Sequence, residues 1–372
     1  MKNSNRLPDG PGLFVPPPKP SIRTIRRDLK RIDARDRRAA IRGETTVWPV
    51  EPVTTATTAM VAGRAVCHIN RPRTWLGGDF TEIDGFVERL RALGARADIT
   101  TEVPSSPAYP LYHLWNLGRP WTADAARILN AKDRPYVISS IYFPGEIPAP
   151  GTEETLAGAA AVLVYSEREQ EALETDFPFL RAQDKCHTVQ KGIDALFRPK
   201  PRGRRDVDVV IVGSIDRRKN VLGALRACHR LGVVPVIAGP IRDPAYWEEC
   251  QAFRFDHRGV LDRPALAALC QRSRVILHPA WFDPAPNAVL EAAAAGCGVV
   301  LTRRTYLMHL PDVQWCDPYD QASVEQALRT ALRMRAVGEL QQFVVDAFDW
   351  SAQVGLLTRV YDLSAPQAWS AV

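Results

Sequence analysis

Short apolar runs alternate with amphipathic stretches along this chain from about residue 60 to its end. Runs at 60–69, 111–116, 136–141, 160–165, 208–213, 234–238, 274–277 and 299–301 are brief and mostly bounded by Gly, Pro, Asn, Asp or Ser, so they predict buried strands. Between them, apolar positions recur at three- and four-residue spacing. That period predicts helices from Phe80 to Leu93, from Asn220 to Leu231, from near Asn287 to Gly296, and from Trp350 through Tyr361. Strands that are apolar throughout need cover on both faces, which is the pattern of a parallel sheet flanked by helices. At 372 residues the chain exceeds one ordinary core, so two such units are expected.

The stretch 275–302 carries the most information. Val275-Ile-Leu277 runs into a proline-bearing loop that holds Asp283; the helix from Asn287 carries Glu291 and ends at Gly296 and Gly298 before the next strand. A loop at the carboxyl end of a parallel strand is where open α/β sheets bind ligands. The helix N-terminus beside it offers N–H groups that suit a phosphate. Two acids eight positions apart bracket that N-terminus. A nucleoside-diphosphate sugar would meet both acids, with the amides on its diphosphate. As plain structure, Asp283 would be a capping residue and Glu291 a solvated helix carboxylate.

The run Asp283-Pro-Ala-Pro-Asn-Ala-Val-Leu-Glu291-Ala, followed by Gly and a Val-rich strand, resembles the signature of the retaining glycosyltransferases of family 4. Asp283 stands where Glu is commoner. The resemblance spans about residues 60–365 and is strongest from 206 to 302. It implies the α/β GT-B fold, two Rossmann-like domains facing a central cleft. The extension would occupy 1–45, the acceptor domain 46–200 completed by a C-terminal helix within 345–372, and the donor domain 201–344.

What the resemblance implies about residues follows its motifs. Glu291 would hold the ribose and Asp283 the donor-sugar hydroxyls. Lys219 and Arg218, with the amides around Ala285, Pro286 and Asn287, would stabilise the leaving diphosphate. After Gly213 the usual Arg is Ser214, so Arg217 or Arg218 would supply the missing charge; three cations at a helix start are costly without an anion. The loop Gly259 to Leu261 would pass the nucleotide base. In the first domain Gly77-Gly78 matches a glycine pair that lets backbone approach a ligand closely, and Arg71 and Arg73 on the same loop suit an anion. Ser166-Glu-Arg-Glu-Gln170 resembles a helix opening with Ser166 as N-cap. Val189-Gln-Lys-Gly-Ile-Asp194 resembles the exit from the first domain, with Lys191 in place of Asn. One departure is a missing His: the segment Ser139-Ser-Ile-Tyr142-Phe143 has none. His113 is either a substitute or a structural histidine, Tyr142 is expected in the cleft, and a donor without a 6-hydroxyl would not need that His.

Composition narrows the classes further. Apolar content of 46% and charged content of 24% are ordinary for a globular protein. Eighteen consecutive apolar residues occur nowhere, and the start MKNSNRLPDGPGLF lacks the apolar core of a secretory signal. Seven cysteines without a C-x-x-C pair read as reduced thiols of a cytoplasmic protein. Asp206-Val-Asp208 has the spacing of metal-dependent transferases but sits at a strand entry. Neither Gly-x-Gly-x-x-Gly after a strand nor a Walker A sequence is present. The resemblance implies that the nucleoside-diphosphate sugar is a substrate, with no cofactor or metal expected.

Charge singles out the N-terminus. Residues 1–42 hold 12 Lys and Arg against 4 Asp and Glu, net +8, while the whole chain is +6. Residues 8–20 contain six prolines; from Ser21 onward Ile22, Ile25, Leu29 and Ile32 form one apolar stripe among arginines. Three occupants fit that stripe: an anionic membrane surface, a second copy of the chain, or the chain's own body. Aromatic residues are not interleaved with those arginines, which argues against nucleic acid. The resemblance implies transfer of a hexose or deoxyhexose to a hydroxyl acceptor, by fold analogy a glycan or glycolipid of the bacterial surface, in the cytoplasm or at the inner face of the membrane. A non-catalytic nucleotide-sugar-binding subunit and a nucleotide-sugar epimerase are the alternatives.

Overall fold

A computed structural model of the protein describes residues 63–71, 78–106, 108–142, 150–199, 204–334 and 338–365. The N-terminal extension, Arg73 and Gly77 lie outside these residues. Twelve strands among the described residues form two six-stranded sheets. The first holds β1 (Ala65–Ile69), β2 (Arg96–Thr100), β3 (Leu111–Trp115), β4 (Tyr136–Ser139), β5 (Ala161–Val164) and β6 (Cys186–Thr188), in the order β2-β1-β3-β4-β5-β6. The second holds β7 (Val207–Val212), β8 (Val236–Ala238), β9 (Asp256–His257), β10 (Ser273–His278), β11 (Gly298–Thr302) and β12 (Gln314–Cys316), in the order β12-β11-β10-β7-β8-β9. Every pairing is parallel.

Strands β1, β3, β4, β5, β7, β8, β10 and β11 answer to the apolar runs. The edge strands β2, β6, β9 and β12 do not, because their residues are mostly half-buried and leave little apolar signal. Six helices bear on the site: α1 (Gly78–Ala92), α2 (Glu167–Asp176), α3 (Val221–Arg230), α4 (Arg263–Arg272), α5 (Asn287–Ala294) and α6 (Trp350–Ser364). Helix α6 returns to the first sheet, where Trp350, Val354, Leu357, Val360 and Tyr361 share a core with Val66, Phe86, Trp115 and Val137. All seven cysteines are free thiols, six of them buried. Among the described residues no helix is long and apolar enough to cross a membrane.

Strand order sets where a ligand can enter. In the first sheet the chain reverses between β1 and β3; in the second it reverses between β7 and β10. Loops leaving neighbouring strands in opposite directions open a crevice at their carboxyl ends. The predicted site residues of the second domain follow β7 and β10, except Leu261, which follows β9, and the loop bearing Arg71 follows β1.

Candidate functional site

At the second switch point, the loops after β7 and β10 are tied together. Asn220, with φ +52°, donates from Nδ2 to the Pro279 carbonyl at 3.0 Å, and Trp281 N donates to the Arg218 carbonyl at 3.0 Å. Residues Arg217–Lys219 form one 3-10 turn, capped by Asp216, whose Oδ1 accepts from Lys219 N at 3.0 Å. Ser214 Oγ donates to the other oxygen of Asp216 at 2.5 Å. An acid thus offsets the three cations at this turn. Arg217 turns outward, pairing with Asp243 at 3.3 Å and Glu249 at 2.5 Å. Arg218 turns inward, its Nη1 3.5 Å from the Phe282 carbonyl.

Asp283 is the centre of this cluster. Lys219 is ion-paired with its Oδ2, and His278 Nε2 lies 2.8 Å from the same oxygen. His278 ends β10 and is 3% exposed, so Asp283 is fixed by a second buried side chain that the sequence reading missed. Its one signal was a polar ring directly after the apolar run Val275–Leu277. Burial pushes the Asp283 carboxyl up, but Lys219, the His278 hydrogen bond and Arg218 outweigh burial and hold it well below the usual carboxylate range. Burial draws Lys219 down, opposed by Asp283.

Helix α5 starts directly after this loop. Its N-cap is Pro286, and no side chain caps it, so its first amides keep the electropositive character of an open helix end. Pro284 and Pro286 have no N–H, which leaves Ala285, Asn287 and Ala288 as the amides able to donate there. Glu291, one turn further and 4% exposed, is ion-paired with Arg263 of α4. Arg263 also reaches Asp194 at 2.5 Å, and Asp194 takes Arg89 at 3.1 Å. Burial raises the Glu291 carboxyl, with Arg263 pulling against it. No spacing in the sequence could reveal Arg263 as its partner.

The first domain closes over this loop. Asn287 Nδ2 donates to the Gly78 carbonyl at 2.8 Å, and a Cβ on Gly78 would stand 2.9 Å from that nitrogen. What Gly78 admits closely is therefore a side chain of the other domain. Lys191 donates to the Ala285 carbonyl, and Tyr306 Oη donates to the Tyr142 carbonyl at 3.1 Å. At the first switch point Asp79 gathers Asn70 Nδ2 at 3.0 Å, Arg71 Nη2 at 3.2 Å and Asn116 Nδ2 at 3.2 Å.

Of the predicted residues, Asp283, Lys219, Arg218, Ser214, Gly213, Ala285, Pro286, Asn287 and Glu291 stand on the β7 and β10 loops and α5. Gly78 meets them from across the cleft, and Arg71 sits at the first switch point. The loop that carries Leu261 lies next to the β8 end, where Gly239 N donates to the Gly259 carbonyl at 2.8 Å. His113 does not join them. It lies fully buried in β3, stacked 4.4 Å from Trp115, with Nδ1 2.7 Å from Tyr361 Oη and Nε2 2.9 Å from Ser139 Oγ. Burial and the neighbouring His68 hold it neutral, as a core histidine. Tyr142 is 7% exposed; its amide donates to Glu169 at 2.8 Å and its hydroxyl to Asp176.

Two parallel sheets with the carboxyl ends of their switch-point strands turned to a shared cleft define the GT-B fold. Solved structures of that fold match the chain. Sucrose-phosphate synthase from Thermosynechococcus elongatus is 16% identical, with a TM-score of 0.67 over 80% of this chain and 98% of that one. HepE from Anabaena, solved with UDP and glucose, is 14% identical, with a TM-score of 0.62 over 80% and 99%. The catalytic domain of starch synthase IV from Arabidopsis thaliana, bound to ADP and acarbose, is 11% identical, with a TM-score of 0.61 over 82% and 100%. At these identities the likeness is one of fold. No family model matches the chain, and neither does any curated protein.

Proposed function

We propose that this chain transfers a sugar, a hexose or deoxyhexose, from a nucleoside diphosphate to a hydroxyl acceptor with retention of configuration, in the manner of family 4. The carrying observation is the juxtaposition of Asp283, Lys219 and the uncapped start of α5 at a switch point, with Glu291 one turn behind. In this reading Glu291 takes the ribose and Asp283 the donor-sugar hydroxyls. Negative charge grows on the departing diphosphate, and Lys219, Arg218 and the amides of Ala285, Asn287 and Ala288 are placed to meet it. The donor is a substrate, no metal takes part, and the departing phosphate assists in removing the acceptor proton. A glycan or glycolipid of polysaccharide biosynthesis is the acceptor that suits a cytoplasmic enzyme whose basic extension, net +8 over residues 1–42, favours an anionic membrane surface.

The test is a thermal-shift screen with nucleoside diphosphates and their sugar conjugates, followed by turnover. Ligand bound to the folded state raises the midpoint. One base should raise it in wild type and not in Glu291→Ala, and Lys219→Ala should lower turnover on the order of 10²-fold. A protein that no nucleotide stabilises would refute the reading. Binding without donor cleavage would favour a nucleotide-sugar-binding subunit, and a converted but still nucleotide-linked sugar an epimerase.

A further inference from the structure

Lys191 has no part in the chemistry described above, yet it bridges the two domains, from Glu82 to the Ala285 carbonyl. It is 5% exposed and reaches from the segment after β6 to the Ala285 carbonyl, between Asp283 and α5. Burying an ammonium is costly unless it is paired. Its compensation comes from Glu82 Oε2 at 3.9 Å and from the face of Tyr165, whose centroid is 4.7 Å away. Glu82 is itself held by the Tyr165 hydroxyl at 2.7 Å. An asparagine at this position is much shorter and would stop short of Ala285.

The loop that Lys191 grips has little freedom of its own. Pro284 and Pro286 fix two of its φ angles. The Pro284 carbonyl accepts from Tyr306 N at 2.8 Å and from Thr305 Oγ1 at 3.1 Å. Ala285, between the prolines, is the peptide whose direction is left to be set, and Lys191 sets it from the other domain. Asn287 on the Gly78 carbonyl is a second hold across the same junction.

We propose that Lys191 is a positioning residue: by holding the Ala285 carbonyl from the first domain, it aims Asp283 and the amides of Ala285 and Asn287 at the donor diphosphate sugar when the domains are together. The inference rests on the donor reading above and adds a residue that acts through the loop rather than on the ligand.

The test compares wild type with Lys191→Met, which keeps most of the length and removes the charge, and with Lys191→Arg. Donor cleavage is followed with UDP-, ADP- and GDP-glucose, and nucleoside diphosphate binding by calorimetry. In Lys191→Met, kcat should fall on the order of 10²-fold, the scale of a misplacement of about 1 Å. Donor KM and diphosphate affinity should stay within about threefold, the pattern of an interaction made in the transition state. Lys191→Arg should recover about a tenth or more of the wild-type kcat, because it keeps a long cation. If Lys191→Met does not fold, Lys191→Gln carries the same expectation. Full kcat with a lowered melting temperature would make Lys191 a packing residue and overturn the proposal. Equal loss of affinity and turnover would make it a ligand contact and also overturn it. A wild type that neither binds a diphosphate nor cleaves a donor defeats the donor reading and this inference with it, whereas an active wild type matched by Lys191→Met defeats the inference alone.

Discussion

Asp283 and Glu291 belong to one loop–helix unit, yet their surroundings push them in opposite directions. Lys219 and His278 favour the ionised form of Asp283 despite its burial, while burial prevails over Arg263 at Glu291. Perturbed carboxyls cluster at functional sites, and buried structural ion pairs shift them as well. A third buried acid, Glu169, makes a cleaner test of the same physics. It accepts from Ser140 Oγ at 2.6 Å and from the amides of Tyr142 at 2.8 Å and Tyr165 at 2.6 Å. Burial outweighs those donors and pushes its carboxyl up to about 7. A folded-state pKa above the unfolded one means the folded protein binds the extra proton. The stabilisation is therefore complete below the unfolded value and is lost as pH rises through about 7. Glu169→Gln cannot titrate, so its stability deficit relative to wild type should be larger at about pH 5 than at about pH 7.5 in urea unfolding. An equal deficit at both would mean that Glu169 stays ionised throughout.

At the scale of elements, the site exists because four loops leave strands at two reversals of chain direction. The β7 and β10 loops are joined by Asn220, and the β8 loop is packed against the β7 loop with no space between them. Gly239 has φ +150°, and a Cβ there would fall 1.9 Å from the Gly213 carbonyl oxygen. Gly239→Ala should cost about 1–3 kcal/mol for the backbone conformation, before any displacement of Gly213. A urea midpoint unchanged from wild type would show that these loops yield more easily than the contact implies. Strand existence was legible in the apolar runs, and so was the placement of Asp283 and Glu291 on one loop–helix unit. The edge strands were not, since a half-exposed strand has no continuous apolar run to read.

For the whole molecule, the two halves are held by α6 as well as by the cleft contacts. Trp350, at its start, packs edge-on against Phe86 at 5.1 Å, lies under the Arg89 guanidinium at 4.1 Å, and donates from Nε1 to Asp194 at 2.9 Å. Asp194 in turn holds Arg263, the partner of Glu291. One indole therefore links the returning helix, the first domain and the acid proposed for the ribose. Trp350→Ala should destabilise by about 3–5 kcal/mol, the range for deleting a large buried aromatic. Chemical denaturation checks it, and a loss below about 1 kcal/mol would place the indole outside the cooperative core.

The sequence by itself determined the α/β class, the buried strands, the loop–helix unit of Asp283 and Glu291, and the cations of the β7 loop. Each of these is a local pattern of period, turn residue or charge, visible within some thirty positions. Tertiary structure alone decided which groups neutralise one another. Lys219 and His278 converge on Asp283, Arg263 takes Glu291, and Lys191 reaches Ala285 from 94 residues away. It also placed His113 in the core rather than the cleft. Buried charges must find partners wherever the packed chain brings them, and those partners follow from sheet order and domain closure, which no local spacing encodes.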